Sequence, residues 1–191
     1  MTDDKTRDNK EYRYIFEKNN LGNKLEIYLT GDVDFDRDFI NLIKEIKSLG
    51  EKDEIHIYIN NYGGAVSTLI QLLNALKSTK AKTISYLEGY ACSAASMVFL
   101  ACDELILNNF SVLMLHYYFS GNSYQKGCDI ELSTEFTKKH FQYICSEIYK
   151  DILTKKELES MFNGKDFWFT KDEIIERLDK KKKITMAEWL R

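Results

Sequence analysis

Two serines, Ser93 and Ser96, lie three residues apart in the segment GYACSAASM (89–97), between a strand-like stretch and a helix-like one. A serine at a strand-to-helix turn can act as a nucleophile, because the helix dipole favours its alkoxide. Ser93 falls at the turn and is the candidate nucleophile, although capping a helix is the commoner use of such a serine. Ser96 falls one turn inside, where its hydroxyl is expected to bond to the carbonyl of Cys92 or to face a neighbouring backbone.

A serine nucleophile needs a base close by, and the chain has three histidines. His56 lies in an alternating strand, opposite its apolar face, and His140 lies among lysines on a solvated helix face. His116 ends the strand-like segment SVLMLH (111–116), and a side chain at the carboxyl end of a strand reaches the ligand crevice of a parallel sheet. His116 is therefore the candidate general base.

A carboxylate must orient the imidazole and stabilise its charged form. The 30 aspartates and glutamates leave this choice open on sequence grounds. Asp166, in the segment NGKDFWFT, is one candidate, because it stands between a glycine turn and an aromatic cluster that would partly desolvate it.

The glycines of NYGG (61–64) stand between a strand and a helix, where converging backbone N–H groups suit a negative charge. Paired glycines also permit close approach and positive φ. A purely structural turn is the alternative interpretation. The turn is no phosphate loop, since the chain has neither a GxxxxGK[ST] nor a GxGxxG motif.

The elements that must position these residues alternate along the chain. Strands are predicted at 25–31, 54–60, 82–88, 104–108 and 111–116. Helices are predicted at 35–50, 65–79, 93–102 and 128–152, with a short one at 171–179. Such alternation is typical of βα units with a mostly parallel sheet, whose ligands lie at the carboxyl ends of the strands. The helix over 128–152 carries more apolar surface than one subunit can cover, which favours an oligomer.

The length of 191 residues predicts one domain over 24–191, after a partly mobile N-terminal arm over 1–23. The net charge of −3 gives no basic footprint for nucleic acid. No apolar run is long enough to cross a membrane and no signal peptide precedes the core, so a soluble, cytoplasmic protein is expected. The four cysteines lack CxxC spacing and three of them lie in apolar surroundings, which predicts reduced, mostly buried thiols with no metal, disulfide or cofactor: Cys92, Cys102, Cys128 and Cys145.

Four segments in the order IYINNYGG, GYACSAASM, SVLMLH and KDFWFTKDE resemble the motifs of the Clp protease proteolytic subunit, a member of the crotonase-like superfamily. They are closer still to the phage-type branch, which carries a GxAASAAS stretch. The resemblance covers residues 24 to 180. The spacings from Gly64 to Ser93 and from Ser93 to His116 match the family only if Ser93 is the nucleophile.

This resemblance implies that Ser93 is the nucleophile, His116 the base and then acid, and Asp166 the orienting carboxylate. It also implies an oxyanion hole made by the backbone N–H groups of Gly64 and Ala94. The implied fold is α/β and crotonase-like, with repeated βα units and a protruding long helix. The implied assembly is a heptameric ring, single or stacked as a double ring, served by an ATP-driven AAA+ unfoldase.

The predicted function is a self-compartmentalising serine endopeptidase that cleaves unfolded polypeptides in protein degradation. Two alternatives remain: a noncatalytic ring or scaffold subunit, and a crotonase-type acyl-CoA enzyme, which shares the fold and a paired-amide oxyanion hole. The presence of a serine, a histidine and an aspartate at the matching positions argues against both. Phe167 replaces an arginine that links rings in many relatives, which leaves the choice between single and double ring open.

Overall fold

The computed structural model describes residues 12–17, 22–33, 40–119, 126–178 and 183–186. Six helices and eight strands lie in these ranges, in the chain order β1 Tyr12–Glu17, β2 Lys24–Val33, α1 Ile40–Ser48, β3 Glu54–Gly64, α2 Val66–Ser78, β4 Lys82–Cys92, α3 Ala94–Ala101, β5 Glu104–Leu107, β6 Val112–Leu115, α4 Gly127–Tyr149, α5 Lys155–Phe162, β7 Phe167–Thr170, α6 Lys171–Leu178 and β8 Lys183–Met186. None of the helices in these ranges is both long and apolar enough to span a bilayer.

The strands form one sheet, built around the parallel neighbours β2, β3, β4 and β5. Strand β1 adds antiparallel to β2 at one edge, and β8 adds parallel to β5 at the other. Strand β6 pairs parallel with the last residues of β4, and β7 pairs antiparallel with β6. The predicted α/β fold with repeated βα units and a mostly parallel sheet is confirmed.

The core lies between one face of this sheet and the helices that cross it. On β3 the alternation places Ile55, Ile57 and Ile59 on the buried face, where each is almost wholly inaccessible. Burying a side chain of this size contributes about 1.5–3 kcal/mol. Helix α3 is buried along nearly its whole length, and its small residues let it lie close against the sheet. The turn before α3, which carries Ser93, is therefore held between layers of core.

Helix α4 divides into an exposed half and a buried half. From residue 127 to 140 every side chain except Ile130 is exposed, so this half projects from the domain. The second half packs one face into the core, through Phe141, Cys145, Ile148 and Tyr149. The predicted protruding long helix is confirmed. Apolar side chains remain exposed on it at Leu132, Phe136 and Tyr143.

Several features of the fold differ from the sequence prediction. Strand β3 continues through the segment predicted as the turn NYGG and ends at Gly64, and β4 continues past residue 88 to Cys92. Strands β7 and β8 and helix α5 were not predicted at all. Helix α5 begins at a capping box, in which the Thr154 hydroxyl accepts from the Glu157 N–H and the Glu157 carboxylate accepts from the Thr154 N–H. The T-x-x-E pattern at 154–157 was the signal available for it.

Arg177 of α6 holds β7 and α5 together. Its guanidinium donates to both oxygens of Glu157 at 2.9 and 3.1 Å and to the carbonyl of Ile152 at 2.9 Å. It also lies over the ring of Phe169, 4.4 Å from the centroid. The Arg177 guanidinium lowers the pKa of Glu157 to about 2. The ion pair joins α6 to α5, and the contact with Phe169 joins both to β7.

Replacing Glu157 by glutamine is expected to lower the free energy of unfolding at pH 7 by up to about 3 kcal/mol. Because folding lowers the Glu157 pKa, its contribution is complete above the unfolded pKa of about 4.5 and is lost as the pH falls toward 2. Denaturant unfolding at pH 7 and pH 3 measures it, with the exposed neighbour Glu159→Gln as control. An equal difference from wild type at both pH values would contradict the assignment.

Candidate active site

Ser93 occupies a strained turn between β4 and α3. Its backbone has φ 54° and ψ −124°, and within the described ranges it is the sole non-glycine residue with positive φ. A residue with a Cβ pays about 1–3 kcal/mol for such a conformation, which persists where the surroundings impose it. Strain of this kind is typical of an elbow that raises a nucleophile above the end of a strand.

The hydroxyl of Ser93 does not cap α3. Ser93 is the N-cap residue, yet its side chain makes no capping hydrogen bond. Its side chain is half-buried. The commoner structural use of a serine at this position is therefore not realised, and the hydroxyl is left for another role.

The two backbone amides predicted to form an oxyanion hole belong to Ala94 and Gly64. Ala94 is the first residue of α3, so its N–H has no acceptor within the helix and lies at the positive end of the helix dipole. Gly64, the other predicted donor, is the last residue of β3 and stands opposite Val33 in the β2–β3 register. The predicted pair of amides thus comes from a strand end and a helix start, not from two helix starts.

Gly63 packs closely against the elbow. A Cβ on Gly63 would lie 2.7 Å from the Ser93 Cβ and 3.2 Å from the Ala94 nitrogen, and its φ is +110°. The Gly63 N–H donates to the buried Asn61 Oδ1 at 2.7 Å, which fixes this end of β3. The sequence showed the need for a glycine here but not which member of the pair meets it.

Replacing Gly63 by alanine is expected to slow fluorophosphonate labelling of Ser93 by on the order of 100-fold, since the added methyl group must displace this candidate nucleophile by a few tenths of an ångström or more. The rate of labelling by a fluorophosphonate measures this. Gly164→Ala is the matched control, because Gly164 also has positive φ but its Cβ would meet open space. Equal slowing in both variants would show that backbone strain alone, and not contact with Ser93, causes the loss.

His116 lies beyond the end of β6, next to the elbow. Cys92 and Met114 are partners in the β4–β6 register, and the Ser93 N–H donates to the Met114 carbonyl at 2.9 Å. The His116 side chain is only 8 % exposed, and its Nδ1 has no hydrogen-bond partner among the described residues. Its ring lies 4.9 Å from that of Phe119, measured between centroids.

Asp166 comes directly before β7. Because β7 runs antiparallel to β6, its first residue lies at the same edge of the sheet as the last residue of β6. Leu115 and Phe167 are partners in the antiparallel β6–β7 register, so the next residue on each strand, His116 and Asp166, stand opposite each other. The Asp166 side chain is exposed, so the expectation that the aromatic cluster would desolvate it is wrong. Phe167 and Phe169 face the core and leave the adjacent aspartate in solvent.

The topology brings the three predicted residues to the ends of three adjacent strands, β4, β6 and β7. It does not join Asp166 to His116 in this conformation, because Nδ1 of His116 is unpaired. The other histidines lie elsewhere: His56 contacts Tyr86 and Glu54 on the opposite face of the sheet, and His140 is exposed on α4.

The loop after His116 is held by aromatic packing. Tyr117 and Tyr118 both lie against Phe141 of α4, with centroids 5.7 and 5.3 Å away, and the Tyr117 hydroxyl donates to the Lys138 carbonyl at 3.0 Å. Burial raises the pKa of Tyr117 to about 12, so it stays a neutral donor. These contacts fix the direction in which the chain leaves His116.

The thiol beside the elbow does not compete with the Ser93 hydroxyl. Cys92 is buried, and burial raises the pKa of its thiol, which keeps it protonated and unreactive. Cys102 and Cys145 are also buried, as predicted, whereas Cys128 is exposed at the start of α4. Ser93 thus stays the candidate nucleophile at the end of β4.

Ser96 is fully buried one turn into α3. Its hydroxyl donates to the carbonyl of Ser93 at 2.6 Å, not to that of Cys92 as the sequence suggested. It also lies 2.9 Å from the hydroxyl of Tyr149, a residue that sequence reasoning did not single out. A buried hydroxyl engaged on both sides is not a nucleophile.

Comparison with known proteins relates this chain to one family. A family model described as Clp protease matches residues 9–177. The chain is also similar to the ATP-dependent Clp protease proteolytic subunit 2 of Borreliella burgdorferi, with 29 % identity over 150 residues, which cover 74 % of this chain and 73 % of that protein.

Proposed function

This chain belongs to the Clp protease family, and on that premise we propose that it is a serine endopeptidase that cleaves unfolded polypeptides through an acyl-enzyme on Ser93. One observation carries the proposal. Ser93 is held in a strained turn at a helix N-terminus, and its hydroxyl makes no capping bond. A scaffold has no use for a conformation that costs stability and leaves the hydroxyl unengaged.

In the proposed reaction Ser93 Oγ attacks the carbonyl carbon of the scissile peptide while His116 accepts the hydroxyl proton. The C–N bond then breaks, and the leaving amine takes that proton. Water, deprotonated by His116, hydrolyses the acyl-enzyme and restores Ser93. The proton transfers in these steps involve Ser93 at the end of β4, His116 beyond the end of β6, the substrate and water.

The proposed oxyanion hole is formed by the backbone N–H groups of Gly64 and Ala94. The position of Ala94 supports this role, because its amide begins α3 beside the nucleophile. One such donor contributes about 3–4 kcal/mol of transition-state stabilisation. The close packing of Gly63 on Ser93 and Ala94 supports the role of Gly64, because Gly64 is the next residue of the chain.

Asp166 is the proposed orienting carboxylate for His116. Two observations support it: the residues stand opposite each other beyond the last β6–β7 pair, and the buried Nδ1 of His116 lacks a partner. A buried ring nitrogen without a partner is costly, so a carboxylate beyond the facing strand end has a reason to approach it. Catalytic hydrogen bonds are commonly looser in the free enzyme than in the substrate complex.

We further propose that the chain assembles into a heptameric ring, single or double, and acts with an AAA+ unfoldase. The exposed apolar residues on the projecting half of α4 support assembly through that helix. The Borreliella relative is named as an ATP-dependent protease subunit. Since this chain has no phosphate-loop motif, ATP binding is assigned to the partner.

A noncatalytic ring subunit is the second candidate, and the exposed Asp166 is the observation that favours it. The two candidates differ in the reactivity of Ser93. The purified full-length chain, treated with a fluorophosphonate and digested for peptide mapping, is expected to carry the label on Ser93. Intact rings by native mass measurement that take up no label would support the scaffold and contradict the peptidase.

A further inference from the structure

Two buried hydroxyls connect the Ser93 elbow to the far end of α4. Ser96 and Tyr149 are both wholly inaccessible, and their oxygens lie 2.9 Å apart. The Ser96 hydroxyl also lies 2.6 Å from the carbonyl oxygen of Ser93. These residues are separated by 53 positions in the sequence, so only the packing of α3 on α4 brings them together.

The direction of these hydrogen bonds follows from the number of protons. A serine hydroxyl has one proton, and the Ser93 carbonyl can only accept, so Ser96 must donate to Ser93. Tyr149 must then donate to the oxygen of Ser96. Burial raises the pKa of Tyr149, which keeps this proton in place at neutral pH. The chain therefore runs from Tyr149 through Ser96 to Ser93, and each bond polarises the next.

The acceptor at the end of this chain is the carbonyl whose direction the ψ angle of Ser93 sets. That ψ is −124°, paired with a φ of 54°, and a residue other than glycine leaves such a conformation unless it is held there. The same carbonyl accepts from the N–H groups of Ser96 at 3.0 Å and Met97 at 3.4 Å, as at any helix start. The bond from the Ser96 side chain is the additional one.

We infer that Ser96 and Tyr149 are positioning residues, which hold the Ser93 backbone in the conformation that presents its hydroxyl for attack. The inference rests on the proposed peptidase function and extends it to two residues outside the catalytic set. Neither contacts the substrate, and both act through the Ser93 carbonyl. Tyr149 also makes the elbow sensitive to the position of the C-terminal end of α4.

A residue that only stabilises the fold would change the unfolding transition and leave the chemistry of Ser93 unaltered. The structure offers a matched control in Ser85, whose buried hydroxyl donates to the carbonyl of Phe99 at 3.0 Å. This bond reaches the same helix, α3, from a buried serine, but at its opposite end. Ser85→Ala therefore removes an equivalent hydrogen bond at a distance from the elbow.

The experiment uses the full-length protein and its Ser96→Ala, Tyr149→Phe and Ser85→Ala variants. The readouts are the rate constant for fluorophosphonate labelling of Ser93 and the kcat and KM for a short apolar peptide ester. Ser96→Ala is expected to lower the labelling rate and kcat by about tenfold with KM unchanged. Tyr149→Phe should lower them by about threefold, because Ser96 can still donate to Ser93. Ser85→Ala should keep both within about twofold of wild type.

The double variant Ser96→Ala/Tyr149→Phe separates positioning from stability. In Ser96→Ala the buried Tyr149 hydroxyl loses its acceptor, and removing that hydroxyl relieves the penalty. The double variant is therefore expected to unfold at a higher denaturant concentration than Ser96→Ala, while its labelling stays as slow. Recovery of the labelling rate together with stability would overturn the inference.

Three other outcomes would also overturn it. If wild type is labelled at Ser93 and Ser96→Ala is labelled equally fast, the positioning role fails and the peptidase proposal stands. If Ser85→Ala slows labelling as much as Ser96→Ala, the effect belongs to the stability of α3. Absence of any label on wild type would refute the proposed function, and this inference with it.

Discussion

Replacing Ser93 by alanine is expected to lower kcat/KM for a short apolar peptide ester by on the order of 10⁴–10⁶-fold and to abolish fluorophosphonate labelling. The reason is that the proposed acyl-enzyme forms on the Ser93 oxygen, and alanine at position 93 leaves no hydroxyl in the turn between β4 and α3. Activity at the level of the oxyanion hole alone would remain. Initial rates of ester hydrolysis and in-gel labelling measure the two effects.

The control for this prediction is Ser96→Ala, which removes the neighbouring hydroxyl and keeps Ser93. Its label should still map to Ser93, because the Ser96 oxygen is buried and bonded on both sides in the wild type. Labelling of this variant is expected to be slower than that of wild type. The relaxation of a strained backbone should also make Ser93→Gly more stable than wild type, since glycine accepts φ 54° at little cost. A label that persists in Ser93→Ala would assign the nucleophile to another residue.

Much of the fold could be predicted because the strands and helices alternate and each carries the matching periodicity. Ile55, Ile57 and Ile59 alternate on β3, and this pattern alone places one face of the strand against helices. Strand β7 could not be found in this way, because it pairs antiparallel with β6 and lies outside the βα alternation. Its four residues are too short for a periodic signal to separate them from a loop.

The candidate site was predictable as far as it depends on strand ends. Ser93 and His116 each follow a strand that the sequence indicates, and parallel neighbours end at the same edge of a sheet. Which glycine approaches Ser93 was not predictable, because it depends on how far β3 continues. The hydrogen-bond partner of Ser96 was not predictable either, because Tyr149 lies on a different helix and the contact arises only from the packing of the two helices.

The position of Asp166 shows where sequence reasoning stopped. Its aromatic neighbours suggested a desolvated carboxylate, but alternation on β7 turns Phe167 and Phe169 to the core and leaves the residue before them exposed. Exposure is compatible with a carboxylate that moves toward His116 only when substrate excludes water. It is equally compatible with a subunit that has no catalytic role, so the test must separate His116 from Asp166.

Replacing His116 by glutamine is expected to lower kcat/KM by on the order of 10⁴–10⁶-fold, nearly as much as the loss of Ser93, because residues that act as one unit are not additive. The double variant Ser93→Ala/His116→Gln should therefore be no slower than either single variant. His140→Gln is the control, since His140 is exposed on the projecting half of α4. The rates of ester hydrolysis by wild type, the two single variants, the double variant and His140→Gln measure these effects.

Asp166→Asn should lower kcat/KM less than His116→Gln does, by on the order of 10²–10⁴-fold. An exposed carboxylate that must first approach Nδ1 contributes less than one already bonded, and an asparagine oxygen can still accept from that nitrogen. The exposed Asp172 of α6 provides the control Asp172→Asn. If Asp166→Asn matches that control while His116→Gln loses activity, another group orients the imidazole, and the buried, unpaired Nδ1 directs the search to the residues around it.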